Sequence, residues 1–204
     1  KGLGIYERLG TTIDDALGEA YDKTAKLLGI EFPGGPKLEE FAKKGDAKKF
    51  SLPKPIINKG GCNLSFAGLK TAILRITKNI KSQKEKYDLA ASFQSTIEEI
   101  LYIKSKIAFK EFLKNSIGKK YFVIAGGVAA NKGIRKKLIQ LSNENDFEAI
   151  FPDINLCGDN AAMIGLVGIE KYKLKKFDNM DLEASPRLAL DTSAKFLKGA
   201  GVVL

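Results

Sequence analysis

A glycine pair followed by an asparagine is the first place where this chain can bind a ligand. Gly126 and Gly127 end a short apolar run, and Asn131 follows them closely. Ligands of open α/β sheets bind beyond the carboxyl ends of strands, where glycine lets the backbone come close to a phosphate or a sugar. The pair predicts either such a contact or close packing of a helix on a strand. Asn131 predicts either a hydrogen bond to a ribose or a helix cap.

Carboxylates mark two further places. Asp159 stands just before a helical pattern that begins near Asn160, which suits either a cap for that helix or a contact with a cation. Asp15, Glu19 and Asp22 are spaced so that a helix would carry them on one face. Taken alone, that spacing is typical of a solvated face.

The composition restricts the chemistry. The 204 residues contain no histidine, so the commonest general base and the commonest metal ligand are both missing. Cys62 and Cys157 form no C-x-x-C pair, which argues against a disulfide framework or a thiolate zinc site. A net charge of +10 favours a polyanionic partner such as nucleic acid, although lysines spread this widely are also typical of a solvated surface.

Neither a membrane span nor a signal peptide is indicated. No run of about 18 apolar residues occurs, and the first residues lack the apolar stretch of a secretory signal. These features predict a cytoplasmic protein with no membrane partner.

Hydrophobic periodicity predicts the elements that must position the candidate residues. Thr12 is a fair N-cap for a helix of about four to five turns that ends at Gly29. Residues 33–36 predict a tight loop, and residues 87–113 predict the longest helix from one apolar stripe. Residues 121–125 predict a buried strand that leads through the glycine pair into a helix.

A second strand and a second helix complete the pattern. Residues 149–151 favour a strand, and residues 160–173 favour the helix that follows Asp159. The order strand, turn, helix, strand, loop, helix is an α/β signature.

Five stretches in fixed order resemble one known family. They are GTTIDDALGEAYDK at 10–23, PGGP at 33–36, SFAGLKT at 65–71, AGGVAAN at 125–131 and CGDNAAM at 157–163. Together they are similar to the tRNA N6-adenosine threonylcarbamoyltransferases, formerly called O-sialoglycoprotein endopeptidases. The similarity runs over roughly residues 4–191.

The resemblance implies a fold of the actin, hexokinase and sugar-kinase superfamily, with ribonuclease H-like α/β lobes and helical insertions. This chain would be mainly the second lobe, at residues 11–175, without the amino-terminal lobe. Residues 1–10 would be the end of that first lobe or a linker, and residues 176–204 would be a divergent tail.

The implied activity is transfer of a threonylcarbamoyl group from threonylcarbamoyl adenylate to N6 of adenosine 37, in tRNAs that read codons beginning with A. Carried over by motif, Asp22, Gly35 and Asn131 would bind the adenylate, and Asp159 would bind one divalent metal, iron or possibly zinc. Glu39, four residues after Gly35, matches a further ligand contact of some family members. The expected partners are tRNA, the adenylate, the amino-terminal lobe, a paralogous lobe protein and a small ATPase.

The chain departs from the family pattern in what it lacks. Family members carry an H-x-x-x-H pair and a serine-glycine-glycine phosphate loop upstream of the position of Lys1, and no histidine occurs here. The chain is therefore expected to act as a fragment that needs a complementary amino-terminal lobe. The alternatives are a catalytically inactive remnant or binding module and, less favoured, a metalloprotease.

Overall fold

The computed structural model describes residues 2–115, 118–184 and 188–194. Four helices come first, and after them the two strands of a small parallel sheet alternate with helices, in agreement with the predicted α/β class. The α-helices are α1 Leu17–Leu27, α2 Gly34–Ala42, α3 Ala67–Thr77, α4 Gln83–Asn115, α5 Lys132–Glu144 and α6 Ala161–Lys173. The strands are β1 Tyr121–Val123 and β2 Glu148–Ile150, and short 3₁₀ helices occur at Gly127–Ala130 and Ile154–Leu156.

Helix α4 is the centre of the hydrophobic core. It is the longest helix, as the apolar stripe predicted, and its first half buries Leu89, Phe93, Ile97 and Ile100 almost completely. Helices α2 and α5 pack on it, and α1 packs on α2 and α3. Burial of such side chains contributes roughly 1.5–3 kcal/mol each, so α4 supplies much of the driving force for folding.

The sheet is covered on one face. β1 and β2 pair in parallel, with Phe122 opposite Ala149. Phe109 of α4 packs edge-on against Phe122 and stacks on Phe147 with ring centroids 3.8 Å apart. The residues on the other face are exposed, and Val123 is 61% accessible. The prediction of a buried strand is therefore wrong: β1 exists, but only alternate residues are covered.

The start of the first helix also differs from the prediction. Thr12 forms a parallel bridge with Leu64, because the Ile13 N–H donates to the Leu64 carbonyl at 2.9 Å. Asp14 accepts from the Phe66 N–H at 2.8 Å and from the Ser65 hydroxyl. These long-range bonds keep residues 12–15 outside the helix, so the predicted helix from Thr12 was wrong.

Helix α1 instead starts after Ala16 and is shorter than expected. Glu19 accepts a hydrogen bond from the Ala16 N–H at 3.0 Å, which caps the helix start. At the other end Gly29 has φ +76°, a left-handed conformation that ends the helix where the sequence predicted.

The Pro-Gly-Gly-Pro segment is not simply a loop. Pro33 is the N-cap residue of α2, which begins at Gly34. Proline suits the start of a helix, since the first N–H groups have no partner within the helix. The predicted tight loop is thus replaced by the start of α2.

The remaining helices agree with their sequence patterns. Asn131 caps α5 and Asn160 caps α6, so both helices begin where they were predicted. Among the described residues no helix is both long and apolar enough to cross a membrane. The proposed tail of residues 176–204 is described only in part, and residues 185–187 and 195–204 lie outside the described ranges.

Candidate functional site

A cavity of about 480 Å³ opens between α1, α2 and the turn before α5. Four residues that the sequence predicted as ligand contacts line this cavity: Asp22, Gly35, Glu39 and Asn131. Its volume lies in the range of small-molecule sites, which is about 300–1,000 Å³. A larger depression of about 840 Å³ around Lys120 and Phe147 holds none of these residues.

Asp22 connects two helices at the cavity. It lies on α1, and its Oδ1 accepts a hydrogen bond from the Gly34 N–H at 3.0 Å, at the first residue of α2. The amino-terminal end of a helix carries a partial positive charge, so a carboxylate there is stabilised. Only one carboxylate oxygen is used in this contact, and Oδ2 is left to accept from a ligand.

Glu39 repeats this arrangement at the other wall. It lies on α2, and its Oε1 accepts a hydrogen bond from the Lys132 N–H at 2.8 Å, at the first residue of α5. Two helix starts therefore meet the cavity, each capped by a carboxylate from a neighbouring helix. The carboxylates give the cavity wall a negative character even though the chain as a whole is strongly basic.

The glycines leave room rather than allowing close packing. A Cβ atom added to Gly35 or to Gly127 would meet no heavy atom within 4 Å. Gly126 has φ +88°, which a residue with a side chain rarely adopts, and this turns the chain from β1 into the 3₁₀ helix. The alternative interpretation, a close helix–strand contact at the glycine pair, is not what the structure contains.

Asn131 is both the helix cap and a cavity residue. Its Oδ1 accepts from the Ile134 N–H at 2.9 Å, which is the N-cap contact. The residue is 8% exposed and lines the cavity at the start of α5. Asn131 can therefore cap α5 and contact a ligand in the cavity at the same time, which are the two roles that the sequence left open.

Hydrophobic groups close the rest of the cavity. Phe32, Pro33 and Pro36 form one side, and Val128 lies on the other. Phe32 is 82% exposed at the rim. Apolar walls with a few fixed polar groups are typical of sites for small organic ligands, because the walls supply affinity while the polar groups select the orientation.

Two polar residues of the site were not predicted. The Tyr21 hydroxyl donates to Gln94 Oε1 at 2.7 Å, and Gln94 contacts Asn131 behind the cavity wall. Burial, together with the nearby carboxylates Glu98 and Glu39, raises the pKa of Tyr21 well above its usual value. A signal existed for Gln94, since it is a polar residue between Phe93 and Ile97 in the apolar stripe of α4.

Asp159 lies apart from the cavity lining. It is exposed in the segment between the second 3₁₀ helix and α6. Asn160, not Asp159, caps α6 by accepting from the Met163 N–H at 3.0 Å. The capping interpretation of Asp159 is therefore wrong, and its carboxylate makes no hydrogen bond or ion pair within the described part of the chain.

A metal ion does not fit the residues present. Within residues 2–115, 118–184 and 188–194, no three Asp, Glu, Cys or His side chains come together as a possible metal site. A single exposed carboxylate is too few ligands for iron or zinc. We therefore derive no chemical step through a metal from this chain.

Arg135 links the turn at the cavity to the segment that carries Asp159. Its Nε donates to the Ala129 carbonyl, and its Nη2 donates to the Pro152 carbonyl at 3.2 Å. The guanidinium also lies 4.7 Å from the centre of the Phe151 ring. The sequence contained no specific signal for this link, because its partners come from two separate segments.

The fold and the site define an α/β protein with a carboxylate-lined cavity in the size range of small-molecule sites. The family model for tRNA N6-adenosine threonylcarbamoyltransferase matches residues 1–166. The chain belongs to this family.

Three relatives show how much of a family member this chain represents. The tRNA N6-adenosine threonylcarbamoyltransferase of Pelagibacter ubique is 71% identical over 205 residues, which are 100% of this chain and 57% of that protein. The enzyme of that name from Rickettsia rickettsii is 48% identical over 93% of this chain and 56% of its own length. The one from Rhodospirillum rubrum is 42% identical over 100% and 57%. The chain thus spans little more than half the length of these relatives.

Proposed function

We propose that this chain is the nucleoside-binding part of a tRNA N6-adenosine threonylcarbamoyltransferase. The observation that carries the proposal is the meeting of Asp22, Gly35, Glu39 and Asn131 in one cavity. Their positions are separated by up to 109 residues in the chain (131 − 22), yet Asp22, Gly35 and Asn131 belong to stretches similar to the family, and Glu39 follows one of these stretches by three residues. A non-functional fold has no need to bring them together.

The chemistry of the cavity suits the nucleoside half of threonylcarbamoyl adenylate. Ionised carboxylates only accept hydrogen bonds, so Asp22 and Glu39 match the donating hydroxyls of a ribose. The space beside Gly35 and Gly127 admits a planar base between apolar walls. None of the described residues that line the cavity is basic, so the phosphate would extend out of it.

The proposed reaction is an acyl transfer. The N6 amine of adenosine 37 attacks the carbamoyl carbon, an N–C bond forms, the C–O bond to the phosphate breaks, and AMP leaves while the amine loses a proton. The role of this chain is to hold the adenylate in a fixed orientation, since positioning two reactants can contribute roughly 7–11 kcal/mol to lowering a barrier. No catalytic residue is assigned.

Iron, with zinc as the alternative, stays a prediction for the assembled enzyme. Asp159 would be one of its ligands, and the others would come from another part of the protein. The isolation of Asp159 agrees with a shared site, because a carboxylate that binds a shared metal needs no partner of its own in this chain.

The amino-terminal part of the relatives is the first proposed partner. Helix α6 buries none of its side chains, although Ile164, Leu166, Val167 and Ile169 are all apolar and 47–66% exposed. A helix that is apolar all round is normally buried. We infer that α6 packs on the remaining part of the enzyme, so that residues 11–175 form the second ribonuclease H-like lobe, with residues 1–10 leading into it and residues 176–204 as the tail.

The other proposed partners follow from the family and from charge. The net charge of +10 supports binding of tRNA, because lysines release counterions from phosphates. A paralogous lobe protein and a small ATPase would complete the modification complex. An enzyme that modifies tRNA would act in the cytoplasm.

The decisive experiment measures threonylcarbamoyl transfer to adenosine 37 of tRNA. The reaction would contain threonine, the synthase that makes the adenylate, and the expected partners. The chain would be assayed alone, and then with the separately expressed part of the Pelagibacter ubique relative that this chain does not cover. Activity is expected only with both parts, and Asp159→Ala is expected to abolish it.

The alternatives predict different outcomes. If the folded chain binds adenosine but no combination transfers the threonylcarbamoyl group, the chain is an inactive remnant or a binding module. The absence of a metal-ligand group in the described residues is the observation that favours this second possibility. The same absence leaves a metalloprotease without support, since such an enzyme needs several metal ligands.

A further inference from the structure

A buried pair of side-chain amides lies behind the cavity wall. Gln94 on α4 and Asn131 at the start of α5 are each 8% exposed. Gln94 Nε2 donates to Asn131 Oδ1 at 2.9 Å, and Asn131 Nδ2 donates back to Gln94 Oε1 at 3.0 Å. Asn131 lines the cavity, whereas Gln94 does not. Gln94 therefore can influence a ligand only through its neighbours.

The orientation of both amides is determined by groups whose hydrogen-bonding sense is known. The Ile134 N–H can only donate, so the atom of Asn131 that faces it at 2.9 Å is the oxygen. The Glu98 carboxylate can only accept when ionised, so the atom of Gln94 that faces it at 2.8 Å is the nitrogen. Each end of the pair independently gives the same orientation.

Tyr21 adds a third constraint. Its hydroxyl donates to Gln94 Oε1 at 2.7 Å. Because burial raises the pKa of Tyr21 well above its usual value, the phenol keeps its proton and remains a donor. The oxygen of Gln94 thus accepts two hydrogen bonds, from Tyr21 and from Asn131, and its nitrogen donates two.

The site is tightly enclosed where α5 crosses α4. A Cβ atom on Gly133 would lie 2.2 Å from Glu98 Oε1 and 2.8 Å from Gln94 Nε2. A side chain at this position would therefore displace the ends of Glu98 and Gln94, whereas Gly133 leaves both in place.

The consequence concerns what Asn131 can offer to a ligand. Its Oδ1 already accepts from the Ile134 N–H and from Gln94, and one of its two Nδ2 protons is donated to Gln94. One N–H remains. Asn131 is therefore a donor toward the cavity, whereas Asp22 and Glu39 are acceptors.

We propose that Gln94 is a positioning residue that fixes Asn131 as a hydrogen-bond donor in the ligand cavity. The nucleoside would direct an acceptor atom toward Asn131 and its hydroxyls toward the two carboxylates. Rotation of the Asn131 amide would present an oxygen to the ligand and would also remove the cap of α5. The inference rests on the proposed function, in that the ligand is a nucleoside.

The test compares two glutamines in the full 204-residue chain. Gln94→Leu removes the contact with Asn131. Gln140→Leu is the matched control, because Gln140 is exposed on α5 and its side chain donates a hydrogen bond to Glu144, at 2.7 Å, away from the cavity lining. Circular dichroism would verify that both variants keep the helical content of the parent chain.

The first measurement needs no ligand. In the parent chain and in Gln140→Leu, the side-chain amide protons of Asn131 should give two separate NMR signals, and one should exchange slowly with water. In Gln94→Leu that protection should be lost. Unchanged protection of Asn131 in Gln94→Leu would overturn the proposal.

The second measurement uses adenosine as the probe, with affinity read by calorimetry. Gln94→Leu should weaken binding at least about tenfold, and Gln140→Leu should change it less than about twofold. Equal affinity of Gln94→Leu and the parent chain would overturn the positioning role. If the parent chain itself does not bind adenosine, the proposed nucleoside site fails, while the exchange of the Asn131 amide still decides whether Gln94 holds it.

A double variant separates positioning from simple stabilisation, and it also serves if Gln94→Leu does not fold. Gln94→Glu with Glu98→Gln exchanges the carboxylate and the amide, so a hydrogen bond between these two positions is kept. However, an oxygen of the carboxylate introduced at position 94 would then face Asn131 Oδ1 in place of the donating Gln94 Nε2. Because two acceptors repel each other, the Asn131 amide should turn. Adenosine binding should stay weakened at least about tenfold although the fold is kept. Full recovery of binding would show that Gln94 only stabilises the fold.

Discussion

The cavity region and the carboxyl-terminal region differ in how their functional residues are held. At the cavity, Asp22 and Glu39 each cap a helix other than their own, and Asn131 is held by both α4 and α5. At Asp159 and α6, the carboxylate has no partner in the described part of the chain, and α6 buries no side chain. Motif residues become a site only where neighbouring elements are present to hold them.

The difference is consistent with one half of a divided site. The cavity lies between α1, α2 and the turn before α5, all of which this chain contains, and α4 supports Asn131 from behind. Helix α6 instead presents a surface with large apolar residues such as Ile164 and Leu166, of the kind that marks an interface.

The largest difference is expected for the same substitution in the two regions. Ile97→Ala removes a fully buried side chain of α4 and should lower the free energy of unfolding by about 2–5 kcal/mol, because a cavity remains in the core. Ile164→Ala changes a side chain of α6 that is 66% exposed and should change that free energy by less than about 0.5 kcal/mol. Urea unfolding followed by circular dichroism measures both. Equal losses would mean that α6 is packed in solution, for example through self-association.

A second comparison concerns the two carboxylates. Asp22→Asn should reduce adenosine affinity by a factor of about 10–150, since a hydrogen bond to a charged group contributes about 1.5–3 kcal/mol. Asp159→Asn should leave that affinity unchanged, because Asp159 does not line the cavity. Calorimetric titration with adenosine measures both. Weaker binding in Asp159→Asn would mean that the two regions form one site without any further protein.

A third comparison addresses the proposed interface on α6. Leu166→Glu puts a charge on a side chain that is 61% exposed, and it should weaken binding to the separately expressed part of the Pelagibacter ubique relative at least about tenfold. Leu74→Glu on α3, where the side chain is 42% exposed, is the matched control and should bind normally. Analytical ultracentrifugation of the mixtures measures association. Equal binding of both variants would place the interface elsewhere.

The smallest effect is expected for pH dependence. Lys84 and the Asp46 N–H, both 2.7 Å from Asp88 Oδ1, lower the pKa of Asp88. A carboxylate whose pKa is lower in the folded state adds stability above its unfolded pKa of about 3.9 and loses it as pH falls through the folded value. Stability should therefore fall on acidification below about pH 4, and less steeply in Asp88→Asn.

The carboxyl-terminal region supplies the control for this pH series. Asp181 is exposed and lies beyond α6. Asp181→Asn should leave the slope of stability against pH as it is in the parent chain. Urea unfolding between pH 2 and pH 6 compares the three proteins, and the same slope in all of them would contradict the role given to Asp88.

Local patterns predicted those parts of the fold whose partners are near in the chain. Helix α4 follows from one apolar stripe, and the starts of α5 and α6 follow from Asn131 and Asn160, which bond to N–H groups three residues away. The start of α1 could not be predicted in this way. Thr12 and Asp14 look like the beginning of a helix, but their segment pairs with residues 64–66.

The candidate site shows the same limit. The shared motifs indicated Asp22, Gly35 and Asn131, the distance from Gly35 indicated Glu39, and the cavity brings the four residues together. Gln94 was missed, although a glutamine in an apolar stripe is a signal for a buried polar contact. Arg135 was missed without any such signal, because its contacts with Ala129 and Pro152 depend on how two separate turns approach each other.

The sequence by itself determined the family, the α/β class and the helix starts that are set by neighbouring residues. Only the tertiary structure decided that Asn131 both caps α5 and lines the cavity, and that Glu39 reaches the start of α5. It also decided that the Asp159 carboxylate has no hydrogen-bond or ion-pair partner within the described part of the chain. The physical reason is the range of the interactions. Glu39 and Lys132 are 93 residues apart in the chain, and no local periodicity specifies a hydrogen bond that forms only when α2 and α5 pack together.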